Sequence, residues 1–331
     1  MNDSAFPDTV PDAWDAALIQ PRIRVISDND YSGDPDGLVQ LAHHLLSPSI
    51  DLRAVIGTHL REGDPWGQNG DEVAAAVSEA KKILELCGKT GEVPVLAGAP
   101  GAMVDVQTPQ ESEGIRFIIA EAMRDDTDTP LFVVCGASLT EIASAYLIEP
   151  RIAERLTVIW IGGHEHEGLA VPPPGAPDLE YNLHEDVVSG LVVFNNSNLK
   201  LWQVPRDQYR HVLASRAELK LRMAVKGPLG AHLYAKLGWV ANWINSSGYK
   251  GGEVYCLGDS PLVLLTALQS AFEADPASCR YVSMACPTLL ENGLYLPNPA
   301  GREIRVYTLL DNRILLEDLY AKLELHSVGL A

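Results

Sequence analysis

Four carboxylates crowd into nine positions near the start of the chain, in Asp28-Asn29-Asp30-Tyr31-Ser32-Gly33-Asp34-Pro35-Asp36. Like charges this close repel and raise one another's proton affinity. A bound cation relieves the conflict, and oxygen ligands with no Cys or His beside them favour a hard ion, Ca2+ or Mg2+. The plain alternative is an acidic surface turn that caps the next helix, because Asp is a good N-cap. Further along, Glu180 and Asn182 form a second polar pair; in an extended stretch such alternate residues face one side. His59 stands at the end of an apolar run, and Trp66 sits in a Gly-rich loop, where its ring is free to stack on a flat ligand.

The residues around the acidic stretch predict strand, turn, helix. Ile23 to Ile26 is a β-branched run preceded by Pro21, and it reads as a buried first strand. Gly33 and Pro35 mark a tight turn, and Leu38, Leu41, Ala42, Leu45 and Leu46 at helical spacing predict a helix from Asp36. In an open α/β sheet, ligands bind at the carboxyl ends of the strands. Two sharper motif readings fare differently. An EF-hand loop starting at Asp28 needs a Glu where the chain has Val39, and an apolar strand precedes the loop, so that reading fails. A Mg2+-dependent phosphatase-like hydrolase with Asp28 as nucleophile, of the haloacid dehalogenase kind, remains a weaker rival: Tyr31-Ser32 follows its Asp-x-Asp where Thr or Val is usual at the second position.

Strand and helix patterns alternate through the rest of the chain. Strands are expected over 51–58, 93–98, 130–136, 156–161, 199–204, 281–291 and 303–310. Helices are expected over 74–86, 114–123, from Ser138 onward, 185–194, across most of 206–245, and over 260–269 and 314–325. Long polar loops fall at 58–70 and 164–178, each at a strand end, where loops carry function. The pattern predicts an α/β fold with an open, mostly parallel sheet and helices on both faces. Residues 1–20 read as a polar, proline-punctuated N-terminal arm and 21–331 as a single domain, because no linker-like composition break interrupts them.

Composition narrows the partners. The chain has 331 residues, 47% of them apolar, enough for a real core, and a formal net charge of −19. A surface so negative argues against nucleic acid and anionic membranes but not against a neutral small molecule. The five cysteines, an odd number with no Cys-x-x-Cys pair, read as reduced thiols, and no signal peptide or spanning run is visible, so a cytoplasmic protein is expected. Cys135, in a buried strand, reads as core.

Six segments in order resemble the nucleoside hydrolase family of the inosine-uridine-preferring type, from about Ile23 to Ala267. Asp28-Asn29-Asp30-Tyr31-Ser32-Gly33-Asp34-Pro35-Asp36 resembles the family's Asp-x-Asp-Pro-Gly-x-Asp-Asp, with one extra residue in the turn. Val93-Pro94-Val95-Leu96-Ala97-Gly98 resembles its Ile-Pro-Val-x-x-Gly, and Gly136-Ala137-Ser138-Leu139-Thr140-Glu141 its Gly-Pro-Leu-Thr-Asn. Ile161-Gly162-Gly163, Glu180-Tyr181-Asn182 and Gly258-Asp259-Ser260-Pro261-Leu262 resemble Met-Gly-Gly, Glu-Phe-Asn and His-Asp-Pro-Leu.

The resemblance implies calcium-dependent hydrolysis of the N-glycosidic bond of a ribonucleoside or related ribosyl compound. By it, Asp30, Asp36, Asp259 and the carbonyl of Gly136 would hold Ca2+; Asp30 would be the general base; Asp34, Glu180 and Asn182 would bind ribose hydroxyls. His59 and Trp66 are further candidates for contact with a small-molecule ribosyl substrate. Carboxylates around the ring suit that chemistry, because they stabilise the positive charge that develops on the sugar more than they stabilise the neutral substrate.

The chain also departs from the pattern. Gly258 stands where the family carries a His assigned to protonate the departing base, and the Asn expected after the second strand is missing at Gly57-Thr58-His59. Another group then protonates the base, or the substrate is an unusual sugar conjugate, or the chain is a non-catalytic ribosyl-binding relative that keeps the metal cup. His164 and His166 are a conceivable zinc pair but read as solvated loop residues; Trp239 and Trp243, at helical spacing, read as core or interface packing. Oligomeric state is open, a homo-oligomer included.

Overall fold

A computed structural model of the protein describes residues 19–67, 70–248, 250–270 and 278–330. The expected N-terminal arm lies outside the described residues except for its last two. The strands are β1 (Ile23–Asn29), β2 (Ile50–Gly57), β3 (Val95–Ala97), β4 (Leu131–Cys135), β5 (Leu156–Ile161), β6 (Lys200–Val204), β7 (Leu213–Ser215), β8 (Val254–Cys256), β9 (Arg280–Ala285), β10 (Thr288–Leu289), β11 (Tyr295–Leu296) and β12 (Glu303–Leu309). The helices are α1 (Asp36–Leu45), α2 (Glu72–Leu86), α3 (Glu113–Ala122), α4 (Thr140–Ile148), α5 (Tyr181–Glu185), α6 (Val187–Asn195), α7 (Arg206–Tyr209), α8 (Arg216–Leu219), α9 (Gly227–Ser246), α10 (Pro261–Leu264) and α11 (Asn312–Ser327).

Eight strands form one sheet in the order β3-β2-β1-β4-β5-β6-β12-β9, parallel throughout except for the β12–β9 pair at one edge. Its central strands are apolar on both faces because helices cover both: Val25 and Ile26, neighbours in β1, are each fully buried, one in each of the two cores. One core packs α1, α2, α9 and α11 through Leu41, Leu84, Leu233 and Leu319; the other packs α3, α4 and α6 through Ile118, Ile142 and Val193. Arg24 is the one buried cation in β1, and it is paired with Glu121 at 2.6 Å.

Strand order places the site. From β1 the chain winds outward to β2 and β3; it then returns to β4, on the other side of β1, and winds the opposite way to β5 and β6. The crevice between the carboxyl ends of β1 and β4 is thus the reversal point where ligands bind in such sheets. There Asp28 lies in register with Cys135, and the Gly136 N–H donates to the Asp28 carbonyl at 3.0 Å.

Local differences from the sequence reading have plain causes. The stretch 206–245 is not continuous helix: Pro205 starts α7, β7 pairs with the unanticipated β8, and α9 begins only at Gly227. Glu180 is extended, but its carboxylate caps α5, so Asn182 lies in a helical turn rather than in the expected extended stretch. The expected strand over 281–291 divides into β9 and β10. Among the described residues no helix is long and apolar enough to cross a membrane.

Candidate active site

The acidic turn leaves the end of β1 and enters α1, with Pro35 at the N-cap and Asp36 in the first helical turn, where the helix dipole favours a negative charge. Gly33 closes the turn, its N–H reaching the Asp30 carbonyl at 2.6 Å. A Cβ at position 33 would stand 2.7 Å from Asp30 Oδ2, so only glycine leaves that oxygen clear.

Asp259 comes to the turn from the start of α10. Its N–H donates to Asp36 Oδ2 at 3.1 Å, and Asn29 Nδ2 donates to its Oδ2 at 2.8 Å. Tyr255 O–H donates to Asp34 Oδ1. Asp30, Asp36 and Asp259 are all buried, and among the described residues no Lys or Arg pairs with any of them. Burial, then the charges of Asp259, Glu185, Asp34 and Asp64, hold the Asp30 carboxyl well above the usual carboxylate range. Burial and the charges of Asp259, Asp34 and Asp30 do the same to Asp36, and Asp259 is pushed up to about 7, chiefly by burial. Uncompensated oxygen donors of this kind fit a hard cation in their chemistry. Their side chains are not gathered into a cage: among the described residues no group of three His, Cys, Asp or Glu is arranged to hold a metal ion.

Asp28 lies deeper than the rest. It is 1% exposed, and neither carboxyl oxygen has a hydrogen-bond partner. Burial, and then the charge of Glu141, keep it well above its ordinary range. Glu141 is anchored by Thr58 O–H and by Ala99 N–H, each at 2.8 Å.

The wall opposite the turn comes from β5 and α5. Gly163, at φ 85°, turns the chain so that its N–H reaches Glu180 Oε2 at 2.7 Å. That oxygen also accepts from Leu183 N–H at 2.9 Å, and Oε1 accepts from Tyr209 O–H at 2.6 Å and Asn182 N–H at 3.2 Å. Four donors fill the lone-pair sites of a carboxylate. Asn182 Nδ2 donates to the carbonyls of Gly136 at 2.8 Å and Ile161 at 2.7 Å, which leaves its Oδ1 to accept from a ligand. The structure thus brings Gly136 and Asn182 together directly and links Asp36 to Asp259.

The remaining sequence candidates separate. His59 is buried at the end of β2, its Nε2 without a partner. Trp66 does not stand alone: its ring lies 4.9 Å from that of Trp243 and 6.1 Å from that of Trp239, all three tilted. A cavity of about 410 Å3 adjoins the turn, lined by Tyr31, Gly33, Pro35, Glu79, Lys236 and Trp239, so the aromatic cluster reaches its rim. His164 and His166 are buried rather than solvated: His164 Nε2 meets the Asp178 carbonyl, and His166 stacks on Tyr295 and hydrogen-bonds Gln203. Glu165 between them forms a buried two-bond pair with Arg206 that fastens their loop to α7.

Sequence reasoning missed Asn29, Arg61, Asp64, Glu185 and Tyr209. The 58–70 loop was singled out, yet its Arg61 and Asp64 have no motif; they gain meaning only where Arg61 meets Asp64 at 2.8 Å and Glu185 at 3.3 Å. A helical rather than extended reading after Glu180 would have placed Glu185 one turn from Asn182.

Residues 25–297 match the family described as inosine-uridine preferring nucleoside hydrolase. No curated protein matches the chain in sequence. Among solved structures, a plant nucleoside hydrolase, PpNRh1, superposes with a TM-score of 0.71 at 18% identity, covering 92% of this chain and 99% of that one. A purine-preferring ribonucleoside hydrolase from Gardnerella vaginalis gives 0.68 at 18% identity, with 92% and 99% covered. An inosine-uridine preferring nucleoside hydrolase from Bacillus anthracis gives 0.62 at 14%, with 91% and 99% covered. At such identities the likeness is one of fold.

Proposed function

The chain belongs to the inosine-uridine preferring nucleoside hydrolase family and is an N-glycosyl hydrolase; on that premise we propose that it cleaves ribonucleosides in a calcium-dependent reaction, with Asp30 as general base. The observation that carries this reading is the buried set Asp30, Asp36 and Asp259, uncompensated by any Lys or Arg among the described residues, at the reversal point of the sheet.

Asp30, Asp36, Asp259 and the Gly136 carbonyl would hold the ion. When bound there, Ca2+ supplies a positive charge that grips sugar hydroxyls and makes a water easier to deprotonate. Asp30 accepts the proton of the attacking water. Asp34, steadied by Tyr255, accepts from a ribose hydroxyl. Asn182 offers Oδ1 from the other side, and Glu180 takes a hydroxyl in exchange for one of its present donors, Tyr209. Trp66 contributes an apolar face for the base, and His59 lines the end of β2 beside the sugar. Carboxylates on both sides of the ring stabilise the charge that grows on it as the bond breaks.

The test is sugar release from a panel of purine and pyrimidine ribosides after chelation and after Ca2+ is restored. Loss on chelation and return with Ca2+ is expected; release indifferent to both would remove the calcium dependence.

A further inference from the structure

Nucleoside bases are poor leaving groups as anions, and a positioned acid is worth about 10^2 to 10^4 in rate. Position 258 cannot supply that acid here. Glycine has no side chain to donate a proton, and a Cβ there would stand 3.3 Å from both Asp36 Oδ2 and the Tyr209 ring, a tight contact. Resting on the hydrolase reading above, we propose that Glu185 protonates the departing base, held for that task by Arg61 and Asp64.

Glu185 ends α5, on the same short helix as Asn182, and its side chain is fully buried. Arg61 N–H fixes its Oε2 at 2.6 Å, while Oε1 has no hydrogen-bond partner. The Arg61 guanidinium faces two carboxyl groups. Its Nη2 reaches Asp64 at 2.8 Å; its Nε stands 3.3 Å from Glu185 Oε1, without a hydrogen bond. Asp64 also accepts from Tyr181 O–H at 2.7 Å and from Trp66 N–H at 2.8 Å. Asp64 thus has three donors, whereas Glu185 has the Arg61 N–H alone and an Oε1 free to carry a proton. Burial first, and then the charge of Asp64, push the Glu185 carboxyl up to about 8, against the pull of Arg61 and its N–H. Asn182, three residues earlier on the same helix, donates to the Gly136 carbonyl, which sets α5 against the carboxyl end of β4. Two carboxyls set in different surroundings then divide the labour of acid and base.

The protons balance. As the C1′–N bond breaks, its electron pair passes to the base, which takes the proton from Glu185 Oε1. The water that adds to C1′ gives its proton to Asp30. Glu185 ends as the carboxylate and Asp30 as the acid, and exchange with solvent restores both.

The experiment compares Glu185→Gln with wild type on two substrates: a purine or pyrimidine riboside, and 4-nitrophenyl riboside, whose phenolate leaves without a proton. The expected result is a kcat at least ~100-fold lower on the nucleoside, with 4-nitrophenyl riboside cleaved at close to the wild-type rate. Equal loss on both substrates, or no loss on either, overturns the assignment. Should Glu185→Gln not fold, the wild type alone decides: kcat on the nucleoside must fall as pH rises through about 8, while kcat on 4-nitrophenyl riboside does not. Arg61, Asp64, Tyr181 and Asp30 are the ionisable groups facing Glu185, and a fall shared by both substrates assigns the change to one of them and overturns the proposal. A wild type that releases sugar from neither riboside fails the hydrolase reading itself, and the role of Glu185 with it.

Discussion

Asn29 Nδ2 donates to Asp259 Oδ2 at 2.8 Å, joining the end of the first strand to a residue 230 positions later. The same side chain accepts from Asp30 N–H through Oδ1 at 2.9 Å. One amide therefore sets two carboxylates relative to each other. Asn29→Ala leaves a buried carboxylate without its donor, a loss of about 1–3 kcal/mol. Urea unfolding should register that loss, and sugar release should fall with it; a variant as stable as wild type would show that Asn29 does not order the site.

Gly33→Ala is the sharper probe of Asp30. The added methyl would stand 2.7 Å from Asp30 Oδ2, so the carboxylate must move while the buried core beneath stays intact. Activity should drop at least ~10-fold, the scale of a ~1.4 kcal/mol misplacement at the reacting centre. Circular dichroism should be unchanged, and an unchanged kcat would place Asp30 outside the chemistry.

Calcium should stabilise the fold as well as activate it. A ligand that binds only the native state at 100 times its Kd adds about 2.7 kcal/mol. Thermal melts with and without Ca2+ should differ accordingly in wild type and far less in Asp36→Asn. Equal shifts in both proteins would put the ion elsewhere.

The pH dependence of stability has a definite sign. The folded carboxyl of Glu185 is raised to about 8 from an ordinary value of 4.5. A group raised on folding contributes stability that is present in full below its unfolded value and lost as pH rises through its folded one. With Ca2+ saturating, stability should therefore decline as pH rises from about 4.5 to about 8 and level off above that. Glu185→Gln should flatten that decline, as urea midpoints across the range would show.

Trp66 stacks obliquely on Trp243, with ring centroids 4.9 Å apart, and neighbours Asp64 in sequence and through its N–H. Removing one aromatic surface from a base costs about 1–3 kcal/mol. Trp66→Ala should raise KM for a nucleoside roughly 10-fold or more, with a smaller effect on a riboside that lacks a flat base. An unaltered KM would assign the three tryptophans to packing.

The parallel sheet was legible because buried central strands such as Leu131–Cys135 are continuous apolar runs, and β1 declared itself by the acidic turn that follows it. Asp30, Asp36 and Asp259 were legible because short motifs surround them. The cluster of Arg61, Asp64 and Glu185 was not. Arg61, Asp64 and Glu185 lie up to 124 positions apart, and only a long loop folded over α5 makes them one unit. The two histidines of the 164–178 loop misled for a related reason: a polar loop reads as solvated, whereas Tyr295, Gln203 and the Glu165–Arg206 pair bury it.

The central claim is tested most directly by proton NMR of a purine and a pyrimidine riboside incubated with wild type and with Asp30→Asn, Ca2+ present. Wild type should yield free base and free ribose in equal amounts, and Asp30→Asn should do so at least ~100-fold more slowly. Equal rates from the two proteins, or intact riboside in both, would contradict it.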